Sequence, residues 1–380
     1  MKKTVMFILA LSIIISVAGL SSMAAFNVET ISNLTTTKIA DIPDYPFENV
    51  SYTAMGGFGI GKLKNSMFVL KASSNEQMAA FYYFPEIDEP DRYGVYRLRY
   101  AGHANAMAVT DKYIYVTGWV SDNDNIGVGY QEHNVNNNWI IKVPRKTISA
   151  MGLTKTGQKI PKDDYDTEEE EGFSVMHPKV KTVNDDGTVT YSPYTRTIAS
   201  ITKYKSNTSF IIGYRVSGNY YGFTKAKIET YNNKKYFVVS ENRADMFVVK
   251  NTMSLKSAIA QDIFYSEENG LFIPTWYGGE KNEANSYYNP AKNVVLWANI
   301  DSNSYTNVTI DKKTYKAYTP AKINLNMGSS TYRKFEMESL AFDVNNNLLF
   351  SANVWFANKT YESDAIYKLT RTDGLKFTIS

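Results

Sequence analysis

Apolar and polar positions alternate along most of the chain in short runs, separated by turns rich in Asn, Asp and Gly. A period of two over four to eight residues is the pattern of half-buried β-strands. One unit runs from Gly102 to Thr117, with an inner strand over Asn105–Val109, a polar turn at Thr110-Asp111-Lys112 and a second strand from Tyr113. It returns, in different residues, at Gln261–Pro274 and at Glu338–Ser351. Aligning the second strands makes Phe68, Ile114, Phe210, Phe272 and Leu349 equivalent. Recurrence on a period of roughly 50–100 residues, all in strand pattern, predicts the blades of a β-propeller. The expected fold is therefore all-β, with five four-stranded blades. Five copies fit the length, although an insertion blurs the count between four and six.

Taken in order, the chain begins with a stretch unlike the rest. Lys2 and Lys3 precede an apolar run from Thr4 to Leu20, and Ser22-Met23-Ala24 supplies the small residues that a signal peptidase reads. Residues 1–24 thus read as a signal peptide cleaved after Ala24, and the protein as secreted. Residues 25–50 form a polar, Thr-rich arm expected to help close the ring. Residues 51–380 form the single propeller domain. Its second blade is interrupted over about residues 145–196 by an acidic stretch, Asp163 to Glu171, and by a hairpin signal at Asp185-Asp186-Gly187. Helical periodicity is confined to Ser254–Gln261, and no later segment is apolar for long enough to span a bilayer.

Composition narrows the function classes. The chain contains no cysteine, which excludes disulfides, thiolate metal sites and a cysteine nucleophile. A net charge of +3 is too small to argue for nucleic acid. The 29 tyrosines are the stronger bias, since an amphipathic ring suits both strands and sugar-binding surfaces. Three histidines, His103, His133 and His177, lie far apart, so zinc is not expected. No cofactor is expected either. Calcium has candidate ligands in Asp122 and Asp124, without the spacing of the twelve-residue calcium loop. Gly56-Gly57-Phe58-Gly59-Ile60-Gly61 leads into a strand instead of a helix, so it is not read as a phosphate loop.

In a propeller the innermost strands line a common channel, and the residues at their starts meet on one face. Here those starts carry His103 and Asn105, Gln261 and Asp262, and Glu338 and Ser339, the expected ligand-binding set. The first blade offers only Gly56 and Gly57, and the third Ser200 and Thr202. Were the protein a glycosidase, Asp262 and Glu338 would be its two carboxylates, with His103 tuning them. The third acid that such a site often uses is missing.

The segments His103–Val109, Gln261-Asp262-Ile263 and Glu338–Phe342 resemble those of the helveticin-type large bacteriocins and of related propellers linked to teichoic acid and receptor binding. About twenty residues carry the likeness. It implies a five-bladed ring that binds the envelope of another cell, with no catalytic residues to carry over. The expected function is binding of a glycan or cell-envelope polymer by a secreted bacterial monomer. A glycoside hydrolase or lyase, and an adhesive surface protein, are the alternatives.

Overall fold

The computed structural model describes residues 30–31, 34–44, 53–61, 65–73, 78–99, 101–102, 104–118, 139–149, 162–165, 174–252, 262–275, 293–325, 327, 331–359 and 363–372. The signal-peptide stretch, Ser254–Gln261, Lys376-Phe377-Thr378 and the acidic residues from Asp166 to Glu171 lie outside them.

Strands β1 (Thr30–Ile31) and β2 (Leu34–Ile42) come first and belong to the last two sheets. The first sheet is an antiparallel meander of β3 (Thr53–Gly61), β4 (Ser66–Ser73), β5 (Met78–Phe84) and β6 (Gly94–Arg99). The second contains β7 (Met107–Val109), β8 (Tyr113–Gly118) and β9 (Trp139–Pro144). A short helix α1 (Arg145–Ser149) follows, then β10 (Lys162–Tyr165), which returns to lie parallel to β6. Strand β11 (Ser174–Met176) completes the second sheet against β9. The predicted hairpin is present as β12 (Lys179–Val183) and β13 (Val189–Pro193), turning at Gly187 with φ of +81°.

The third unit is β14 (Ser200–Tyr204), β15 (Ser206–Arg215), β16 (Tyr220–Tyr231) and β17 (Lys234–Val239), with β18 (Met246–Lys250) beside it. Strand β16 has 12 residues and outruns its partners. One of its edges pairs with β15; the other is shared, β18 taking Tyr220–Thr224 and β17 taking Ala226–Tyr231. Asn232 and Asn233, at φ of 48° and 60°, form the left-handed two-residue turn that a twisted hairpin favours. The fourth sheet is β19 (Phe264–Ser266), β20 (Gly270–Thr275), β21 (Asn293–Ala298) and β24 (Ala321–Leu325), with β1 parallel on its edge. Strands β22 (Thr306–Ile310) and β23 (Lys313–Tyr318) form a hairpin that joins β18. The fifth sheet is β25 (Tyr332–Phe342), β26 (Leu348–Phe356) and β27 (Ser363–Arg371), and β2 supplies its outer strand. The predicted N-terminal arm therefore pairs with the far end of the chain.

The sheets are arranged as a β-propeller. Successive side chains on a strand point to opposite faces, and each sheet uses both. Phe68 and Leu70 pack on Ile114, Trp139 and Ile141 of the second sheet, whereas Met67 and Val69 pack on Leu349 and Ile366 of the fifth. Tyr115 meets Phe210 and Phe237; Ile211 and Phe223 meet Leu271 and Leu296; Phe272 and Trp297 meet Phe335 and Phe350. All five second-strand positions aligned from sequence are fully buried. The expectation of five equivalent four-stranded blades is corrected in form. Four sheets of four or five strands stand as separate blades, and the third unit belongs to a nine-stranded sheet. The branching edge of β16 is the reason.

Candidate functional site

Two residues expected to face a ligand are instead fully buried at the centre of the ring. The Ser339 hydroxyl donates to Asp262 Oδ2 and accepts the Phe58 amide at 3.2 Å. Asp262 Oδ1 accepts the Ile263 amide at 2.8 Å, and the amides of Met107 and Phe58 also stabilise its charge. Burial outweighs these donors and holds the Asp262 carboxyl well above the ordinary aspartate range. One side chain thus ties β25, β7 and β3 to the segment that leads into β19. Nearby, the Gly57 amide donates to the Ala104 carbonyl at 2.9 Å, and the Tyr265 amide donates to Thr202 Oγ1 at 3.1 Å. Both inner-strand glycines are needed here: a Cβ on Gly56 would lie 2.2 Å from Ala104 O, and one on Gly57 2.8 Å from the Ala106 carbonyl carbon.

Glu338 occupies the bulge in β25, between the Met337↔Ala352 and Ser339↔Ser351 pairs, and is buried. Desolvation raises its carboxyl well above the ordinary range, aided by the charges of Glu336 and Asp364 and by a hydrogen bond with Glu336. Glu336, Asn353 and Asp364 lie in register across β25, β26 and β27. Lys71, from the middle of the apolar β4, reaches across to Asp364 at 2.7 Å; both side chains are almost completely buried. Asn353 Nδ2 donates to the same carboxylate at 3.0 Å, and its own Oδ1 has no hydrogen-bond partner. The sequence reading missed this cluster. Its signal was a polar residue at an interior position of otherwise apolar strands, as with Lys71 in Ser66–Ser73 and Asn353 in Leu348–Phe356.

Asn105 is half-buried just ahead of β7. His103, Gln261, Asp122 and Asp124 lie outside the described residues, so the predicted set is brought together only in part. Asp262, Ser339 and Glu338 share the centre of the ring, but the first two face backbone amides and each other. Among the described residues no group of three His, Cys, Asp or Glu is placed to hold a metal.

A hollow of about 690 Å³ opens at the other ends of the inner strands, lined by Ile60, Val109, Lys203, Ser266 and Phe342 among others. Phe264 and Phe342 put aromatic rings on its wall, with centroids 5.7 Å apart. Lys203, Glu267 and Glu268 line it and form no ion pair among the described residues. Arg145 is committed otherwise: its Nη1 donates to the Thr110 carbonyl at 2.9 Å and its guanidinium lies over Phe68 at 5.5 Å. The turns around this face bond to one another. Asn207 Nδ2 donates to Asp111 at 2.7 Å, Asn269 Nδ2 to Asn346 at 3.2 Å, and the Val344 amide to Asn65 at 3.2 Å. Lys205 meets Asp301 at 3.0 Å, and the hydroxyls of Tyr204 and Tyr265 donate to the same carboxylate.

No family model and no curated protein sequence matches the chain. Among solved structures it is similar to a protein of unknown function from Dyadobacter fermentans, at 9% identity and a TM-score of 0.39, over 89% of this chain and 100% of that one. It is similar to an α-L-arabinofuranosidase from Lactobacillus brevis at 10% identity and a TM-score of 0.44, over 85% and 93%. A thermostable family-43 glycoside hydrolase stands at 9% and 0.35, over 86% and 93%. Likeness at this level leaves the activity of this chain to its own residues. Among the described residues no helix is long and apolar enough to cross a membrane.

Proposed function

We propose that the chain is a secreted propeller of five sectors, with β14–β17 as the sector merged into the larger sheet, that binds a cell-envelope glycan on one face of its ring. The five inter-sheet cores support that count. The turn-to-turn bonds between neighbouring sheets support it as well. The observation that carries the binding reading is the hollow at the strand ends. Aromatic rings stand there beside Lys203, Glu267 and Glu268, which form no ion pair among the described residues, and that is the mixture that takes a polyhydroxylated ligand. The resemblance to helveticin-type proteins supports an envelope polymer as the target. Replacing Lys203 by Ala together with Glu268 by Gln is expected to weaken binding to isolated envelopes or glycan arrays about tenfold or more, because each change removes a charge-assisted bond. The melting temperature should stay unchanged. Full binding by that double variant removes the reading. Alanine at His103, Asn105 and Gln261, the other members of the ligand set expected from sequence, tests binding through those residues instead.

One observation favours a second reading. Glu338 is a buried carboxyl whose pKa is raised well above the ordinary range, the direction that a general acid needs. Glycosidases, however, set their two carboxyls apart on either side of the scissile bond, whereas Glu338 bonds Glu336 directly. Reducing-sugar release from arabinan or xylan, lost in Glu338→Gln, would select the hydrolase.

A further inference from the structure

The second and third sheets enclose a groove of about 660 Å³ that adjoins the hollow described above at Thr110. Four lysines line it: Lys112, Lys142, Lys179 and Lys235. Several lysines elsewhere on the surface meet carboxylates, as Lys38 does at 2.8 Å, Lys205 at 3.0 Å and Lys227 at 2.7 Å. The four in the groove form no ion pair among the described residues. Carboxylates on the adjoining elements already have partners. Glu229 of β16 takes Lys181 at 3.0 Å and Lys227, and Asp111 takes Asn207.

Lys142 is half-buried on β9, with its ammonium 4.3 Å from the centre of the Tyr113 ring. Burial, and then the charge of Lys235, lower its pKa. Two like charges from different sheets therefore act on each other, and neither has an ion-pair partner among the described residues. Such an arrangement costs stability in the free protein and is relieved when an anion enters. The rest of the lining is of another kind: Tyr113 and Tyr236 contribute aromatic rings, one face of Tyr236 being stacked on Tyr191 and one face of Tyr113 lying under Lys142, and Val175, Ile228 and Phe237 an apolar floor.

The geometry points to a second binding site, one for an anionic saccharide whose sugar ring lies on the tyrosines and whose carboxylate, sulfate or phosphate sits between Lys142 and Lys235. Its lysines and tyrosines are not among those that line the hollow at the strand ends, so it stands or falls independently of the function proposed there.

The test uses the full secreted chain and four probes measured by titration calorimetry: polygalacturonate, dextran sulfate, a poly(glycerol phosphate) and neutral dextran. At least one anionic probe should bind, and its affinity should fall as salt rises, since exposed charges are screened. Neutral dextran should not compete. Which anionic probe binds tells uronate, sulfate and phosphate apart. Lys142→Ala combined with Lys235→Ala should lower that affinity about tenfold or more, as expected for loss of two charge-assisted contacts. Lys142→Arg should largely keep it. Lys225→Ala combined with Lys227→Ala, which removes the same charge elsewhere on the third sheet, and Lys203→Ala in the hollow should both leave it unchanged. Failure of all three anionic probes to bind overturns the proposal. So does an equal loss in the Lys225/Lys227 variant, which would reduce the effect to general surface charge.

Discussion

Truncating Asp262 would take from the amides of Ile263 and Met107 and from the Ser339 hydroxyl the acceptor they share at the middle of the ring. Each buried donor left unmet costs on the order of 1–3 kcal/mol, so Asp262→Ala is expected to lower stability by about 3 kcal/mol or more in chemical denaturation. The same residue gives a pH dependence of defined sign. Its folded pKa is raised, as is that of Glu338. The folded chain therefore holds protons that the unfolded chain has released. The stability these groups contribute is full below about pH 4, the unfolded carboxylate value, and is lost as pH rises toward the folded values. Asp262→Asn removes one of the two titrations. The difference in melting temperature between wild type and Asp262→Asn should therefore move in favour of the variant from pH 4 to pH 7; a constant difference would contradict the assigned direction. In the sequence Asp262 stood out only as an acid at a strand start, which a ligand site and an internal staple share. Its burial depends on partners from three other sheets, distant in the chain, and no local pattern shows that.

At the scale of the element, alternation along a strand shows which residues are buried but not which strand lies beside it. Phe68, Ile114, Phe210, Phe272 and Leu349 were legible because a second strand is flanked on both edges and packed on both faces. Strand β18 and the β22–β23 hairpin went unread, because Met246–Lys250 and Thr306–Tyr318 repeat no earlier unit and join the third sheet sideways. The Lys71–Asp364 bridge was equally hidden, since one partner looks like an exposed lysine until the neighbouring sheet covers it. Inner-strand spacing makes a sharper test. Gly56-Gly57 sits where β3 bulges, between Met55↔Lys71 and Phe58↔Val69, and the backbone before β7 fills the space that a side chain would need. Gly57→Ala must push two backbones apart. It is expected to destabilise the fold by about 2–3 kcal/mol, the cost of overpacking a core, while Gly187→Ala, at an open turn, is opposed only by its positive φ.

For the whole molecule, the weight falls on β2. It provides the outer edge of the fifth sheet, and its Ala40 and Ile42 join the core shared by the fifth and first sheets. Deleting residues 25–42 would bare the edge of β27 and open that core at once. The expected outcome is loss of the cooperative thermal transition by circular dichroism, together with self-association in size-exclusion chromatography. A monomer that still melts in one step would show that the ring does not depend on this strand.

The pairing of β2 with β27 also orders events in time. Thr35 and Thr370 bond across 335 positions of sequence, so β2 has no partner until every sheet between them has been made. Contacts so remote in sequence make for slow folding. Until the fifth sheet is complete, the ring has an open seam, and the sheets already formed must wait with one face uncovered.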